Sequence, residues 1–592
     1  MTPSPTEIPA NPDPTAQPPE PEPTLPPIPT QAPTEVPTES AASVDAPAPT
    51  GIPPSSAVEA LLSSMTLEQK IGQLMVIGFD GEEMSPDLQQ MIAETGVGGV
   101  IFFARNVSSP QQVAALTANL QTAARDAGKP GLLIAVDQEG GRVARLTERG
   151  GFTEFPGAMA LGAAGDEQLA RDIASAMAQE LRALGFNVDF APDLDVNNNP
   201  DNPVIGLRSF SSDPALTAAY GAAFIEGLQS NGVIAFGKHF PGHGDTSVDS
   251  HYGLPVVAHE RERLEAVEFA PFRAAMQAGV EGIMSAHVVF PAIEPEGLPA
   301  TLSPRVMTGL IREEMGYTGL LVTDSLEMGA LGDSGYPPAL AAERAFAAGA
   351  DLLLFNRDHA MHRAAFDLIV SQVQAGLIPI ERVDESARRV LALKERYGLL
   401  PGAEQNTLSA PSLDTVGSAE HRELARSAAR SSLTVVRAEP GLLPLQPGQP
   451  ALVVETPEAI GLGELLGLTA YPIRLKPNLD ELGVLLNMTE HGRPLIITTA
   501  DAKTTPEQAA LVQGALDAGR QVIVVAVRNP YDIMAFPDVP TYIAAYGSNP
   551  PALEAVAGLL RGDYAPTGRL PVELPGLYPL GHGLTGFEGG VP

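Results

Sequence analysis

The 592-residue chain contains no cysteine and no tryptophan. Without cysteine there can be no disulfide, no thiolate metal site and no thiol nucleophile. Without tryptophan the largest aromatic platform for a ligand ring is missing as well. Basic residues are scarce: 36 Lys and Arg stand against 71 Asp and Glu, a formal charge of −35. Such a chain excludes a nucleic-acid partner, which requires a basic face, and suits small or neutral substrates. No apolar run approaches the roughly 20 residues of a membrane-spanning helix. What is present is a hydrophobic content of 44%, enough for a large core, in a chain several minimal domains long.

Residues 1–54 are dominated by Pro, Thr, Ala and Glu and carry no Lys, Arg or aromatic side chain. That composition cannot bury enough apolar surface to offset ordering, so a disordered tether is expected. Fully extended at about 3.1 Å per residue it would reach on the order of 150 Å. Met1 runs directly into it, with no basic and then apolar leader. Pro/Thr-rich stalks commonly follow an export signal or lipid anchor. The expectation is therefore an extracytoplasmic protein, in the cell envelope or secreted, tethered to membrane or wall by this tail. A lipoprotein signal would lie outside the given sequence.

From residue 55 to 400 apolar, strand-like runs alternate with helical patterns. The runs are Ile71–Phe79, Gly98–Phe103, Leu132–Asp137, Val188–Pro192, Val233–His239, Gly282–His287, Leu320–Asp324 and Asp351–Phe355. Between them, helices are expected at Pro110–Ala127, Glu167–Ala183, Pro214–Gln229, Arg261–Ala278 and Pro304–Met315. Ser109-Pro110, Asp213-Pro214 and Ser303-Pro304 each set a capping residue before a first-turn proline. This alternation predicts an α/β fold of the (β/α)₈ barrel type rather than an open sheet. Residues 401–431 read as a linker and bridging helix. Residues 432–592 read as a smaller α/β sandwich domain, with strands at 433–436, 451–455, 495–499, 522–526 and 542–545, a helix at Pro551–Leu560 and a closing strand at Gly568–Pro575.

Titratable residues gather where the barrel strands end: Asp137, Lys238-His239, His287 and Asp324. In a barrel those ends meet on one face, where active sites form. The segment Lys238–His251 alone packs three histidines, two aspartates and a lysine into fourteen residues. Asp249 and His251 are two apart, so in extended chain both point to one side. The carboxylate can then orient the imidazole as a general acid/base, and Gly242, Gly244 and Gly253 would give the loop mobility. Asp324 reads either as a cap for the following turn or as a nucleophile aimed into the barrel mouth. Asp137, with Arg145 nearby, suits a polyhydroxylated ligand. His239, His243, Asp245, Asp249 and His251 offer oxygen and nitrogen donors, but on one short loop with cations among them, so no metal and no cofactor is expected.

Lys238-His-Phe-Pro-Gly-His-Gly-Asp-x₃-Asp249-Ser-His251 resembles the signature loop of glycoside hydrolase family 3 β-N-acetylglucosaminidases of the NagZ type. The likeness extends through Asp137-Gln-Glu-Gly-Gly-Arg142, Asn202-Pro-Val-Ile-Gly-Leu-Arg208-Ser-Phe, Ser285-Ala-His287 and Thr323-Asp324-Ser-Leu-Glu-Met-Gly, and on to Gly568-Arg-Leu-Pro-Val572 in the second domain. The resemblance implies Asp324 as nucleophile and His251 as acid/base assisted by Asp249. It implies Asp137, Arg145, Arg208, Lys238 and His239 as holders of a terminal N-acetylglucosamine (GlcNAc). Other branches take a carboxylate acid/base from the second domain. The expected activity is retaining hydrolysis of terminal β-linked GlcNAc from peptidoglycan fragments or chito-oligosaccharides, by a monomer. The alternatives are phosphorolysis of the same bond and a non-catalytic surface glycan-binding protein.

Overall fold

The computed structural model describes residues 55–402, 410–488 and 492–587. The N-terminal tail expected as a tether lies outside them. No helix among the described residues is long and apolar enough to cross a membrane.

All eight expected barrel strands form: β1 Met75–Gly78, β2 Gly99–Phe102, β3 Leu133–Val136, β4 Val188–Asp189, β5 Ile234–Phe240, β6 Gly282–Ser285, β7 Leu320–Thr323 and β8 Leu353–Phe355. They pair in parallel in sequence order, with β8 returning to β1, and the Val322–Leu352 bridge completes the ring. Every strand residue is buried, as a parallel sheet sheathed by helices requires.

Two departures from the expected barrel elements have a clear local cause. Ile71 and Gly72 close a helix, Leu67–Gly72, nucleated by the reciprocal Thr66–Gln69 capping box, and strand begins only at Met75. The expected helix Arg261–Ala278 is two helices, Arg261–Ala266 and Ala270–Gln277. Pro271 has no N–H for the Val267 carbonyl, and its ring would collide with that group, so the chain breaks and restarts with proline in the first turn.

The second domain is a six-stranded sheet in the order β11-β10-β12-β13-β14-β9. Its strands are β9 Thr434–Arg437, β10 Leu452–Glu455, β11 Thr469–Pro472, β12 Leu495–Thr499, β13 Val522–Ala526 and β14 Thr541–Ala544. Only β9 runs antiparallel, against β14. The edge strand β11 escaped the sequence reading because it is short, half-exposed and ends in proline.

The expected closing strand Gly568–Pro575 is not one. This extended segment divides its bonds: Gly568 N–H to the Leu433 carbonyl, Arg569 N–H to Ala163, and the Pro571 carbonyl accepting from Ser212 N–H. Leu570, Val572 and Leu574 are buried in a core that joins Met159, Ala160 and Ala163 of the barrel to one face of the second sheet. Barrel and sheet thus form one compact unit.

Candidate active site

The end of β5 places Lys238 and His239, both buried, at the centre of a charged network. Lys238 Nζ lies 3.0 Å from Asp137 Oδ1 and 2.6 Å from Glu139 Oε1. Arg208, from the loop after β4, forks onto the same Glu139, with Nε 2.9 Å from Oε2 and Nη2 2.7 Å from Oε1. Arg145 reaches Asp137 Oδ2 at 3.4 Å. Burial opposes the charge on Asp137, but Lys238 and Arg145 outweigh it and hold this carboxyl below its ordinary value. Glu139 is likewise held down by Arg208 and Lys238 against burial. The five residues assigned to sugar contact, Asp137, Arg145, Arg208, Lys238 and His239, are therefore brought together.

His239 is bound at both ring nitrogens. Nδ1 is 2.7 Å from Asp195 Oδ2 and Nε2 is 3.2 Å from Arg208 Nη2. Burial, with Arg208 beside it, lowers this imidazole to about 4, so it is neutral near pH 7. A guanidinium can only donate, which fixes the tautomer: Nε2 accepts from Arg208 and Nδ1–H donates to Asp195. His239 thereby orients the Arg208 fork. Beneath it, burial pushes Asp195 up to about 6, and raises Asp193 well above the carboxylate range with Asp195 alongside.

Asp324 follows β7 directly. Its N–H donates to the Ser285 carbonyl, and its Oδ1 accepts from Ser325 N–H at 2.7 Å. Burial resists its charge, but His287, His239 and the Ser325 N–H prevail and keep the carboxyl below its usual value. His287 is fully buried and spans the turn, with Nε2 3.0 Å from the Ser325 carbonyl and Nδ1 2.9 Å from Thr301 Oγ1.

The Asp249–His251 pair forms as the spacing implied. His251 Nδ1 is 2.7 Å from Asp249 Oδ1, leaving a half-exposed ring with Nε2 free of the carboxylate. The loop is docked to the segment that follows Asp324: Ala330 N–H donates to the Ser250 carbonyl and Gly329 N–H to that of His251. A Cβ on Gly329 would stand 2.6 Å from the His251 oxygen, so only glycine allows this approach. Gly244 also serves close packing rather than motion, since its Cβ would meet the Val196 carbonyl at 1.9 Å. His243 is buried and holds Thr246 and Ser250, at 2.8 and 2.9 Å.

The five loop donors weighed for a metal do not converge: Asp245 pairs with His259, Asp249 with His251, and His243 with hydroxyls. Among the described residues one group, Asp193, Asp195 and His239, has donor atoms close enough for an ion. Its Nδ1–H is already committed to Asp195, and Arg208 Nε lies 3.5 Å from Asp193 Oδ2, which repels a cation.

Residues 66–393 match the glycosyl hydrolase family 3 N terminal domain. The chain belongs to glycosyl hydrolase family 3. A relative named beta-hexosaminidase A, from Pseudoalteromonas piscicida, is 32% identical, over 86% of this chain and 97% of its own length. A protein of Cellulomonas fimi named beta-N-acetylglucosaminidase/beta-glucosidase is 30% identical, over 87% of this chain and 95% of its own length. The solved family 3 beta-N-acetylglucosaminidase of Paenibacillus sp. str. FPU-7 superposes with a TM-score of 0.80 at 43% identity, covering 86% of this chain and 99% of that one. This protein is thus a family 3 glycoside hydrolase, and the likeness spans barrel and second domain together.

Glu139, Asp193 and Asp195 escaped the sequence reading. Each had a signal. Glu139 is two residues after Asp137 at a strand end, and Asp193 and Asp195 repeat the same spacing after β4.

Proposed function

We propose that this family 3 enzyme is a retaining exo-β-N-acetylglucosaminidase. The observation that carries the reading is the Asp249–His251 pair, 2.7 Å apart, docked by two backbone hydrogen bonds onto the loop of Asp324. With Nδ1 held by Asp249, His251 Nε2 donates its proton to the glycosidic oxygen. The Asp324 carboxylate attacks the anomeric carbon, the bond to that oxygen breaks, and the leaving group departs as an alcohol. Nε2 then takes a proton from water, whose oxygen displaces Asp324 and restores the β configuration. Asp137, Arg145, Arg208 and Lys238 hold the hydroxyls and acetamide of the terminal sugar, with His239 steering Arg208.

The names of the relatives support N-acetylglucosamine as that sugar. We further propose peptidoglycan fragments as substrate and a site of action outside the cytoplasm, supported by the Pro/Thr-rich composition of residues 1–54.

The test is product analysis by NMR with an aryl β-GlcNAc and a muropeptide, with and without phosphate. β-GlcNAc as the first-formed product is expected, and Asp324→Ala should lower kcat on the order of 10⁴-fold. α-GlcNAc as first product would refute retention, GlcNAc-1-phosphate would convert the reading to phosphorolysis, and undiminished turnover by the variant would remove Asp324 from the chemistry.

A further inference from the structure

Among large hydrophobic side chains of the described residues, the most exposed is Tyr252, at 82%. It directly follows His251, and Val248 and Val256 on the same loop are 44% and 53% exposed. Single exposed apolar residues need no explanation, but these three lie within nine residues around one imidazole. A turn fixes the base of the ring: Tyr252 and Gly253 N–H both donate to the Asp249 carbonyl. Gly253 leaves room for Val248, whose Cγ1 would sit 3.3 Å from an added Cβ. On the other side, a Cβ on Gly329 would lie 3.5 Å from Tyr252 Cα, so this backbone rests against the segment that follows Asp324.

The chemistry decides which part of a glycoside meets this rim. A general acid must touch the glycosidic oxygen, and that oxygen leaves with the departing group. Asp137, Lys238, Glu139 and Arg208 form a separate charged network rooted at β3 to β5, where the retained sugar is held. The side chain next to His251, centroid to centroid 6.4 Å away, therefore borders the leaving group. A tyrosine offers an aromatic face to the C–H face of a pyranose or to an aryl ring, and a hydroxyl for its polar edge. The rim thus presents exposed apolar surface around His251.

We propose that Tyr252, on a loop that also exposes Val248 and Val256, forms the leaving-group subsite and selects glycosides whose leaving group is a ring with an apolar face. This rests on His251 being the proton donor. Its test is kcat/KM for methyl β-GlcNAc, an aryl β-GlcNAc and N,N′-diacetylchitobiose with wild type, Tyr252→Ala and Tyr252→Phe. The alanine variant should lose about tenfold on the two ring-bearing substrates, mainly through KM, and under about twofold on the methyl glycoside. Phenylalanine should restore most of the loss. An equal loss on all three substrates, or no loss on any, overturns the proposal. Unchanged thermal unfolding of the exposed-site variants guards against a folding artefact. Failure of the underlying reading looks different: His251→Ala would then discriminate no better than wild type between aryl and methyl leaving groups.

Discussion

A carboxylate that attacks carbon has to stay ionised while shielded from water. In its proposed role Asp324 does so with the Ser325 N–H donating to Oδ1, its carboxyl held below the ordinary value. Its proposed partner, His251, would act only when the leaving group needs a proton. His251→Ala should therefore cost about 10²–10⁴-fold on methyl β-GlcNAc and little on an activated aryl glycoside, as steady-state kinetics on both would reveal. Glu139 is a different kind of residue. It neutralises Lys238 and Arg208 together, and breaking a buried pair of this type costs about 3–5 kcal/mol. Glu139→Gln should lower the urea midpoint accordingly and raise KM, because both cations lose their common anchor. Asp324, Asp249 and His251 were legible in the sequence because each stands at a strand end or at a spacing that dictates direction. Glu139 left only its spacing from Asp137 as a signal, because its importance comes from two cations 69 and 99 residues away that only the fold brings to it.

At the level of elements, the eight barrel strands were readable from their apolar runs, since parallel strands are buried on both faces. The break at Pro271 was readable too, had proline been weighed above apolar periodicity. Strand β11 and the course of Gly568–Leu574 were not, because what decides them is the neighbour they meet. A buried acid fastens several elements beneath the barrel. Asp351, just before β8, lies 2.5 Å from Arg312 Nη2 and 3.1 Å from Arg389 Nη1, and accepts from Ser386 Oγ and Leu321 N–H. It thus ties β7 and β8 to the helices Arg305–Glu314 and Ile380–Arg396. Asp351→Ala strands those guanidinium groups and should destabilise by about 3–5 kcal/mol. Chemical denaturation should register that loss, with kcat of the folded fraction unchanged.

Across the whole molecule, the second domain grips the loops after β3 and β4 that carry Glu139, Arg145 and Arg208. Asn197 Nδ2 donates to Tyr531 Oη at 2.9 Å, and Asn549 Nδ2 reaches the Phe155 carbonyl at 3.5 Å. Behind Tyr531, burial pushes the Asp532 carboxyl up to about 7. A folded value above the unfolded one means that this group favours folding when protonated, fully below about pH 4. The contribution fades as pH rises and is gone above about 7. Asp532→Asn, which cannot ionise, should therefore stabilise the protein by roughly 1–3 kcal/mol at pH 8 and have little effect at pH 4. Thermal unfolding at the two pH values checks the sign.

The divided bonding of residues 568–574 bears on the order of events during synthesis. Ser211 Oγ and Ser212 N–H of the barrel both find their acceptor at Pro571, some 360 residues later, and Ala163 waits for Arg569. A barrel complete to β8 still lacks these partners while the ribosome makes the second domain. Stalled chains ending before residue 568 should be cut by protease between residues 155 and 212, where the released protein resists.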